Sequence, residues 1–313
     1  MAGSAAQSPL MNYETTGNAR RAAPAVPHDY REARTLLLDS QLARAELLSC
    51  TGLGRTPTPE IFSPDPQLLV TLRGCFLWHV GASRHLVDAN RCVLIHAGEA
   101  SQDSHPSESG EVHALLVTPA SELIAELFRW DGGSTASSGE FRAHTIHASP
   151  RFQLAASAFV GGASDPARRE PLALEEAILG VLRRLRPTGR AHAAAVSPRV
   201  RQLVRTVKER LQTMDSRASL GEIARAVNVT AAHLTHTFRR VEGVPLAVYH
   251  RRIRLARALY ELPRTENLAT LALDLGFSSH GHFSAAFKSL YGITPSEFRD
   301  RPMRRMVASY RAG

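Results

Sequence analysis

The feature that most constrains the fold is an internal repeat in the C-terminal half of the chain. Residues 222–249 resemble residues 270–298, with Ala224 matching Ala272, and the second copy has one extra residue in its turn. Each copy combines a helical pattern, a turn of three to four residues and a second helical pattern. The repeat therefore predicts two helix-turn-helix units.

The second helix of each unit has a recognisable start and a recognisable buried face. Thr230 and Ser279 stand at the predicted starts, and hydroxyl side chains are typical N-caps. Apolar residues at i and i+4 predict the inward faces, which leaves polar and small residues facing outward. The inward pairs are Leu234 and Phe238 in the first unit, and Phe283 and Phe287 in the second.

Charge is distributed unevenly along the chain, whose formal net charge is +9. Residues 197–313 contain 20 Lys and Arg against 9 Asp and Glu, whereas residues 1–196 contain 18 against 20. A basic half beside a near-neutral half indicates a polyanionic partner. Two recognition helices on a rigid connecting helix can enter successive major grooves about 34 Å apart. We therefore expect double-stranded DNA as the partner.

The C-terminal half resembles the DNA-binding domain of the AraC/XylS family of bacterial transcription regulators over residues 199–302. The matching segments are LGEIARAVNVTAAHLTHTFRRVEGVPLAVYHRRIRLARALYEL (220–262) and LALDLGFSSHGHFSAAFKSLYGITPSEFRD (271–300). The resemblance implies seven helices and base contacts from both recognition helices. From the outward faces, the connecting helix and this resemblance, the expected DNA-binding residues are Thr230, Ala231, Ala232, Thr235, His236, Arg239, Arg240, Arg251, Arg254, Ser279, His280, Gly281, His282, Ser284 and Lys288.

The recognition helices depart from the family pattern at two places. Ala231 and Ala232 replace larger contact residues, and Ala285 stands where Arg is frequent. Fewer long hydrogen-bond donors favour contact with thymine methyl groups or indirect readout of DNA shape. The four recognition-helix histidines are not expected to form a zinc site, because His233 and His236 lie on faces that diverge from the second unit. Base or phosphate contact is expected instead, or partial burial for His233 and His282.

The sequence pattern changes in the front half of the chain. Short apolar runs separated by turns between Leu47 and Thr118 indicate an antiparallel sandwich or barrel. The runs cover 68–72, 75–80, 85–88, 91–96 and 113–118. With the segment RCVLIHAGEASQDSHP (91–106), they resemble the cupin-like sensor domain found ahead of many AraC-type DNA-binding domains. The expected fold class is multidomain: an N-terminal all-β jelly roll with flanking helices, then an all-α domain with two helix-turn-helix units.

The expected organisation has five parts. They are a disordered tail (1–29), a cupin-like sensor domain (30–140) that opens with a short helix at 30–46, a helical linker and dimerisation region (141–196), the DNA-binding domain (197–303) and a basic tail (304–313). Helices are expected at 119–130, 149–163 and 172–185, with a loop at 131–140. The helices at 149–163 and 172–185 are expected to form a homodimer, because the apolar stripe on the second is expected to be exposed. A monomer is the alternative, because one chain holds two helix-turn-helix units.

Histidines and cysteines of the front half leave two alternatives open. Cupin enzymes bind metal through an HxH…E…H arrangement, and the histidines of the front half include no HxH. We therefore expect these histidines to lie at the surface or to line a pocket. No metal or other cofactor is expected. Cys75 and Cys92 are candidates for a thiol sensor, although buried strand cysteines are usually inert. The histidines are His79, His85, His96, His105 and His113.

These patterns predict a cytoplasmic, sequence-specific transcription regulator, an activator with RNA polymerase as a further partner. Its front domain would sense a small-molecule effector or dimerise, and no residue would be catalytic. The alternatives are a cupin-type metal-dependent enzyme fused to a DNA-binding domain, and a nucleoid-type binder without sequence preference. No apolar run approaches the ~20 residues of a membrane span, and the N-terminus lacks an apolar signal-peptide core.

Overall fold

The computed structural model describes residues 30–106, 110–127, 144–165, 169–185, 197–213 and 218–300. The expected tails (1–29 and 304–313), the expected loop (131–140) and most of the expected boundary (186–196) lie outside these residues.

The front half contains two antiparallel sheets. One has the strand order β1-β2-β9-β4-β7-β10 and the other β3-β8-β5-β6. Their facing sides meet in an apolar layer in which Trp78 of β5 packs with Val93 of β7 and Val112 of β9, and this confirms the cupin-like jelly roll. The strands are β1 (Arg31–Asp39), β2 (Ala43–Leu53), β3 (Ile61–Phe62), β4 (Gln67–Arg73), β5 (Phe76–Val80), β6 (Ser83–Val87), β7 (Arg91–Ile95), β8 (Ala100–Ser104), β9 (Gly110–Pro119) and β10 (Thr145–His147).

The helix expected at 30–46 is wrong, because these residues form β1 and the start of β2. The two strands pair antiparallel from Arg31↔Thr51 to Asp39↔Arg44. β2 also pairs with β9 along its length, so ladder hydrogen bonds on both sides override a local sequence that favours a helix.

Three helices accompany the sheets: α1 (Ser121–Leu127), α2 (Pro150–Ser164) and α3 (Pro171–Arg183). They confirm helices near the expected positions, and residues 128–130 of the first lie outside the described part. Ser149 caps α2 by accepting a hydrogen bond from the Phe152 backbone N–H.

The apolar stripe of α3 is not exposed, which corrects the expected dimerisation surface. It packs with α2 against the first sheet of its own chain, and Ile178 and Val181 are fully buried there. The stripe is therefore part of an intramolecular core. Its residues are Leu174, Ile178, Val181, Leu182 and Leu185.

Seven α-helices lie within the described residues of 197–300, as the family resemblance implies. They are α4 (Pro198–Thr213), α5 (Leu220–Ala226), α6 (Ala231–Glu242), α7 (Leu246–Glu261), α8 (Leu268–Asp274), α9 (His280–Tyr291) and α10 (Pro295–Asp300). The first helix-turn-helix unit is α5–α6 and the second is α8–α9, with α7 between them.

The two units start, end and pack in the same way. Thr230 accepts from the His233 N–H at 3.2 Å and Ser279 from the His282 N–H at 3.1 Å, as predicted for N-caps. Gly243 (φ 74°) and Gly292 (φ 79°) end the second helices in the left-handed region, where glycine has no steric penalty. The predicted inward pairs Leu234/Phe238 and Phe283/Phe287 are all completely buried.

Two apolar side chains cross between the halves. Leu154 of α2 belongs to the core of the second unit, with Phe283 and Phe287. Tyr260 of α7 belongs to the core beneath the first sheet and stacks on His113 of β9 with ring centroids 5.0 Å apart. The DNA-binding helices are thus packed directly on the front half.

Candidate nucleic-acid interface

The first recognition helix presents its predicted outward face to solvent. Because Leu234 and Phe238 occupy the inward face, Ala232, His236 and Arg239 lie exposed on the other side. Arg240 is also exposed, while Ala231 and Thr235 are half-buried; the Thr235 hydroxyl donates to the Ala231 carbonyl at 2.9 Å.

The second recognition helix has the same arrangement. His280, Gly281 and Lys288 are exposed, and the Ser284 hydroxyl lies 3.3 Å from His280 Nε2. The hydroxyls of Thr230 and Ser279 are both engaged as N-caps, which positions the first turn of each helix rather than leaving these groups free.

Of the two alternatives for His233 and His282, partial burial is wrong, because both side chains are exposed. His282 Nδ1 lies 3.1 Å from the Ser278 hydroxyl, which belongs to the turn of the second unit. Both histidines therefore lie at the same surface as the predicted contact residues.

Two arginines of α7, Arg251 and Arg254, were both predicted to bind DNA, and they occupy different environments. Arg251 is exposed, whereas Arg254 donates to the Gly276 carbonyl at 2.9 Å and lies 4.7 Å above the Phe277 ring. Burial, and then the charge of Arg251, lower the pKa of Arg254. Arg254 thus ties the connecting helix to the turn of the second unit.

A short turn of the front half contacts the DNA-binding helices. This docking turn, residues 88–91, connects β6 to β7. Asp88 is fully buried, and its Oδ2 accepts a 2.5 Å hydrogen bond from the Tyr249 hydroxyl of α7. The Asn90 side-chain amide donates to the Tyr249 carbonyl at 3.5 Å. A buried carboxylate needs such partners, because its desolvation is otherwise costly.

The last residue of the docking turn forms a buried ion-pair network. Arg91 Nη2 lies 3.2 Å from Glu242 Oε2, and Lys208 Nζ of α4 lies 3.4 Å from Glu242 Oε1. Glu242 and Lys208 are 6% and 3% exposed. Burial opposes ionisation of Glu242, but the charges of Lys208 and Arg91 outweigh it and lower its pKa to about 2.

A glutamine of α2 links the same turn to the second unit. The Gln153 side-chain amide donates to the Ala89 carbonyl at 2.6 Å and accepts from the Tyr291 hydroxyl at 3.1 Å. Gln153 is 5% exposed, so both bonds are made away from solvent.

These contacts give the two recognition helices a common support. Glu242 is the last residue of α6, and Tyr291 is the last residue of α9. Each recognition helix is therefore anchored at its C-terminal end to the front half, while its N-terminal turns remain exposed. The sequence offered one weak signal for this: the polar turn 88–90 between two apolar strands.

The remaining sequence candidates lie elsewhere. Cys75 and Cys92 are buried, and burial raises the pKa of both thiols, which disfavours the thiolate that a redox sensor needs. Among the described residues, the grouping with metal-ligand geometry consists of His96, Glu99 and His144, and it involves none of the recognition helices.

A helix-turn-helix domain family matches residues 223–301. The HTH-type transcriptional activator AarP of Providencia stuartii is 38% identical over 87 residues, which are 28% of this chain and 64% of that protein. The arabinose operon regulatory protein of Escherichia coli K12 is 27% identical over 165 residues, 52% of this chain and 56% of that protein. The chain thus spans less than two thirds of these two relatives.

A solved structure of a transcriptional regulator with an AraC-type DNA-binding domain, from Chromobacterium violaceum, is 27% identical to this chain. The match covers 33% of this chain and 94% of that chain, with a TM-score of 0.31.

The duplicated units with exposed recognition faces define a protein with two helix-turn-helix units. More particularly, the chain belongs to the AraC/XylS family of bacterial transcription regulators. Of the two relatives, one is named as a transcriptional activator and the other as an operon regulatory protein.

Within the part of the chain that the structure describes, every helix is too short or too polar to cross a membrane.

We predict that Glu242→Gln lowers the free energy of unfolding by about 3–5 kcal/mol at neutral pH, because Arg91 and Lys208 lose their buried partner. The pKa of Glu242 is lowered from 4.5 to about 2. Its contribution is therefore complete above pH 4.5 and is lost as the pH falls toward 2. Urea unfolding of both proteins between pH 7 and pH 3 checks this: a difference that does not shrink at low pH would contradict it.

Proposed function

We propose that this protein is a sequence-specific transcription activator that reads two DNA elements about one helical turn apart. The observation that carries the proposal is the pair of exposed recognition faces whose helices are fixed at their far ends to one support, through Glu242 and Tyr291. The activating role is supported by the relative AarP, which is named as a transcriptional activator. Activation would involve contact with RNA polymerase.

Base contacts are assigned to the exposed N-terminal turns of both recognition helices. His236 and His280 carry polar atoms that can reach base edges, because both side chains are exposed on the recognition helices. Ala232 and Gly281 allow close approach, and small side chains suit thymine methyl groups. Arg239, Arg240, Arg251 and Lys288 are assigned to phosphates.

The front domain is proposed to sense a small-molecule effector or to dimerise. Its inner face carries polar groups beside Trp78, since β5 places this residue opposite His85 and Asp103. His85 Nε2 and Asp103 Oδ1 are buried without a hydrogen-bond partner among the described residues. Burial, with a smaller effect from the charge of Glu32, raises the pKa of Asp103 to about 7. A polar effector would supply the missing partners.

An effector bound between the sheets would reach DNA through the docking turn, which connects two strands of this domain. The rigid support fixes the spacing between the recognition helices, so a shift of the turn would change which DNA sites fit both helices at once.

The proposal is tested by selecting bound sequences from a random double-stranded pool with the full chain at ~150 mM salt, where non-specific contacts are weakened. Enrichment of two elements about one turn apart is expected. A nucleoid-type binder would enrich no sequence.

We predict that His236→Ala or His280→Ala weakens binding to the selected site by about 1–3 kcal/mol and relaxes specificity there, with a much smaller effect on random DNA. Ser289→Ala, an exposed residue late in α9, is the control. Fluorescence anisotropy on both DNAs measures the difference. Equal losses on the two DNAs would remove these histidines from base readout.

We predict that Arg251→Gln weakens binding to all sequences and reduces the salt slope by about one. Arg257→Gln on the same helix is the matched control, because Arg257 lies 3.7 Å from Glu261 and is 46% exposed. Titrations over a range of salt concentrations measure the slope. An unchanged slope for Arg251→Gln would place α7 away from the phosphates.

We predict that Arg91→Met weakens binding to the two-element site more than tenfold, while binding to a single element changes less than about threefold, because loosening the support removes preorganisation. The substitution leaves the DNA-binding helices unaltered, and Lys208 still pairs with Glu242. Arg84→Met, an exposed arginine of the same domain, is the control. Equal effects on one-element and two-element DNA would contradict the role of the docking turn.

A further inference from the structure

A separate cluster of polar side chains lies at the end of β7 opposite the docking turn. His96 directly follows β7, Glu99 lies in the turn to β8, and His144 directly precedes β10, which pairs with β7. One ligand atom from each of the three lies within 4.8 Å of the ligand atoms of the other two. Segments 48 residues apart in sequence therefore bring two imidazoles and a carboxylate together.

The distances within this cluster suit a small cation. His144 Nε2 lies 3.1 Å from both carboxylate oxygens of Glu99, and the rings of His96 and His144 have centroids 4.9 Å apart. Bonds of 2.0–2.2 Å to a tetrahedral zinc ion place neighbouring donor atoms about 3.3–3.5 Å apart. The His144–Glu99 pair already has nearly this separation.

The backbone around the cluster is held in place. The Leu94 N–H donates to the His144 carbonyl at 2.8 Å, and Thr145 pairs with Val93. The side chains of His144 and Glu99 are each about one-third exposed, at 36% and 33%. The site is therefore preorganised by the sheet and still accessible to an ion from solvent.

A further histidine adjoins the cluster. The His85 ring lies 6.4 Å from the His144 ring, and its Nε2 is buried without a hydrogen-bond partner among the described residues. Trp78 packs against both rings at 5.9 and 5.7 Å. An additional imidazole nitrogen thus lies beside the three ligands, at the edge of an apolar layer.

We propose that His96, Glu99 and His144 bind a divalent first-row transition metal ion, zinc foremost. Two imidazoles and one carboxylate are a common set for such ions and leave a coordination position open for water or a small ligand. The set differs from the HxH…E…H arrangement of cupin enzymes, since its ligands come from the two ends of a turn and from a neighbouring edge strand. The metal site does not depend on the proposed DNA specificity.

The test is zinc binding to the full chain after removal of metal with a chelator. Equilibrium dialysis gives stoichiometry and affinity, and the visible absorption of bound Co²⁺ reports the coordination. Glu99→Gln and His144→Gln remove one ligand each. His147→Gln is the matched control, because it changes an exposed histidine three residues away on the same segment.

We expect one zinc ion per chain in the wild type, at least tenfold weaker binding in both ligand variants, and binding within about twofold of wild type in His147→Gln. Circular dichroism without metal establishes whether the variants are folded. If one ligand variant is not folded, zinc binding to the other ligand variant decides the test. The absence of stoichiometric zinc in the wild type would overturn the proposal. So would undiminished binding in a folded ligand variant, or an equal loss in His147→Gln. Because no DNA is present, the result is independent of the sequence selection.

Discussion

The arrangement of the two halves depends on one buried polar contact region, where the docking turn meets the DNA-binding helices. Asp88 and Glu242 are buried there and Arg91 is half-buried, and each finds a partner across the boundary. Removing one partner leaves a buried charge unpaired, which costs far more than the intact contact contributes. Such a contact specifies one geometry, because other placements would leave these charges without partners.

The same region explains how one chain can hold two helix-turn-helix units in a fixed relative position. Each helix-turn-helix unit has its own apolar core, so the units alone could vary in relative orientation. The front half contacts the C-terminal end of each recognition helix, through Arg91 to Glu242 and through Gln153 to Tyr291. The support therefore acts at the C-terminal ends of the recognition helices, and their N-terminal turns stay exposed.

Much of the DNA-binding half could be predicted from sequence because its determinants are local. Caps at Thr230 and Ser279, apolar spacing and two terminal glycines fix each unit within about 25 residues. The strands from 68 to 118 were predictable for the same reason. The segment 30–46 was not, because its extended conformation comes from pairing: β1 pairs with β2, and β2 pairs with β9, some 70 residues away.

Apart from the polar turn 88–90, the contacts between the halves had no readable signal in the sequence. Tyr249 and Asp88 are separated by 161 residues, and neither stands in a motif. Likewise Arg254 resembles the neighbouring arginines of α7 in sequence, and only its contact with Gly276 and Phe277 distinguishes it. The apolar stripe on α3 indicated that another surface must cover it. The sequence did not show that this surface is the first sheet of the same chain.

The most direct test of the docked arrangement is a double-mutant cycle between Asp88→Asn and Tyr249→Phe, read as the free energy of unfolding of the full chain. Residues in contact couple by about 0.5–3 kcal/mol, whereas independent sites add within about 0.3–0.5 kcal/mol. The docked arrangement predicts a coupling of at least ~1 kcal/mol for this buried, charge-assisted hydrogen bond. Additive effects would mean that the docking turn and α7 are not in contact, and the common support for the two recognition helices would be lost.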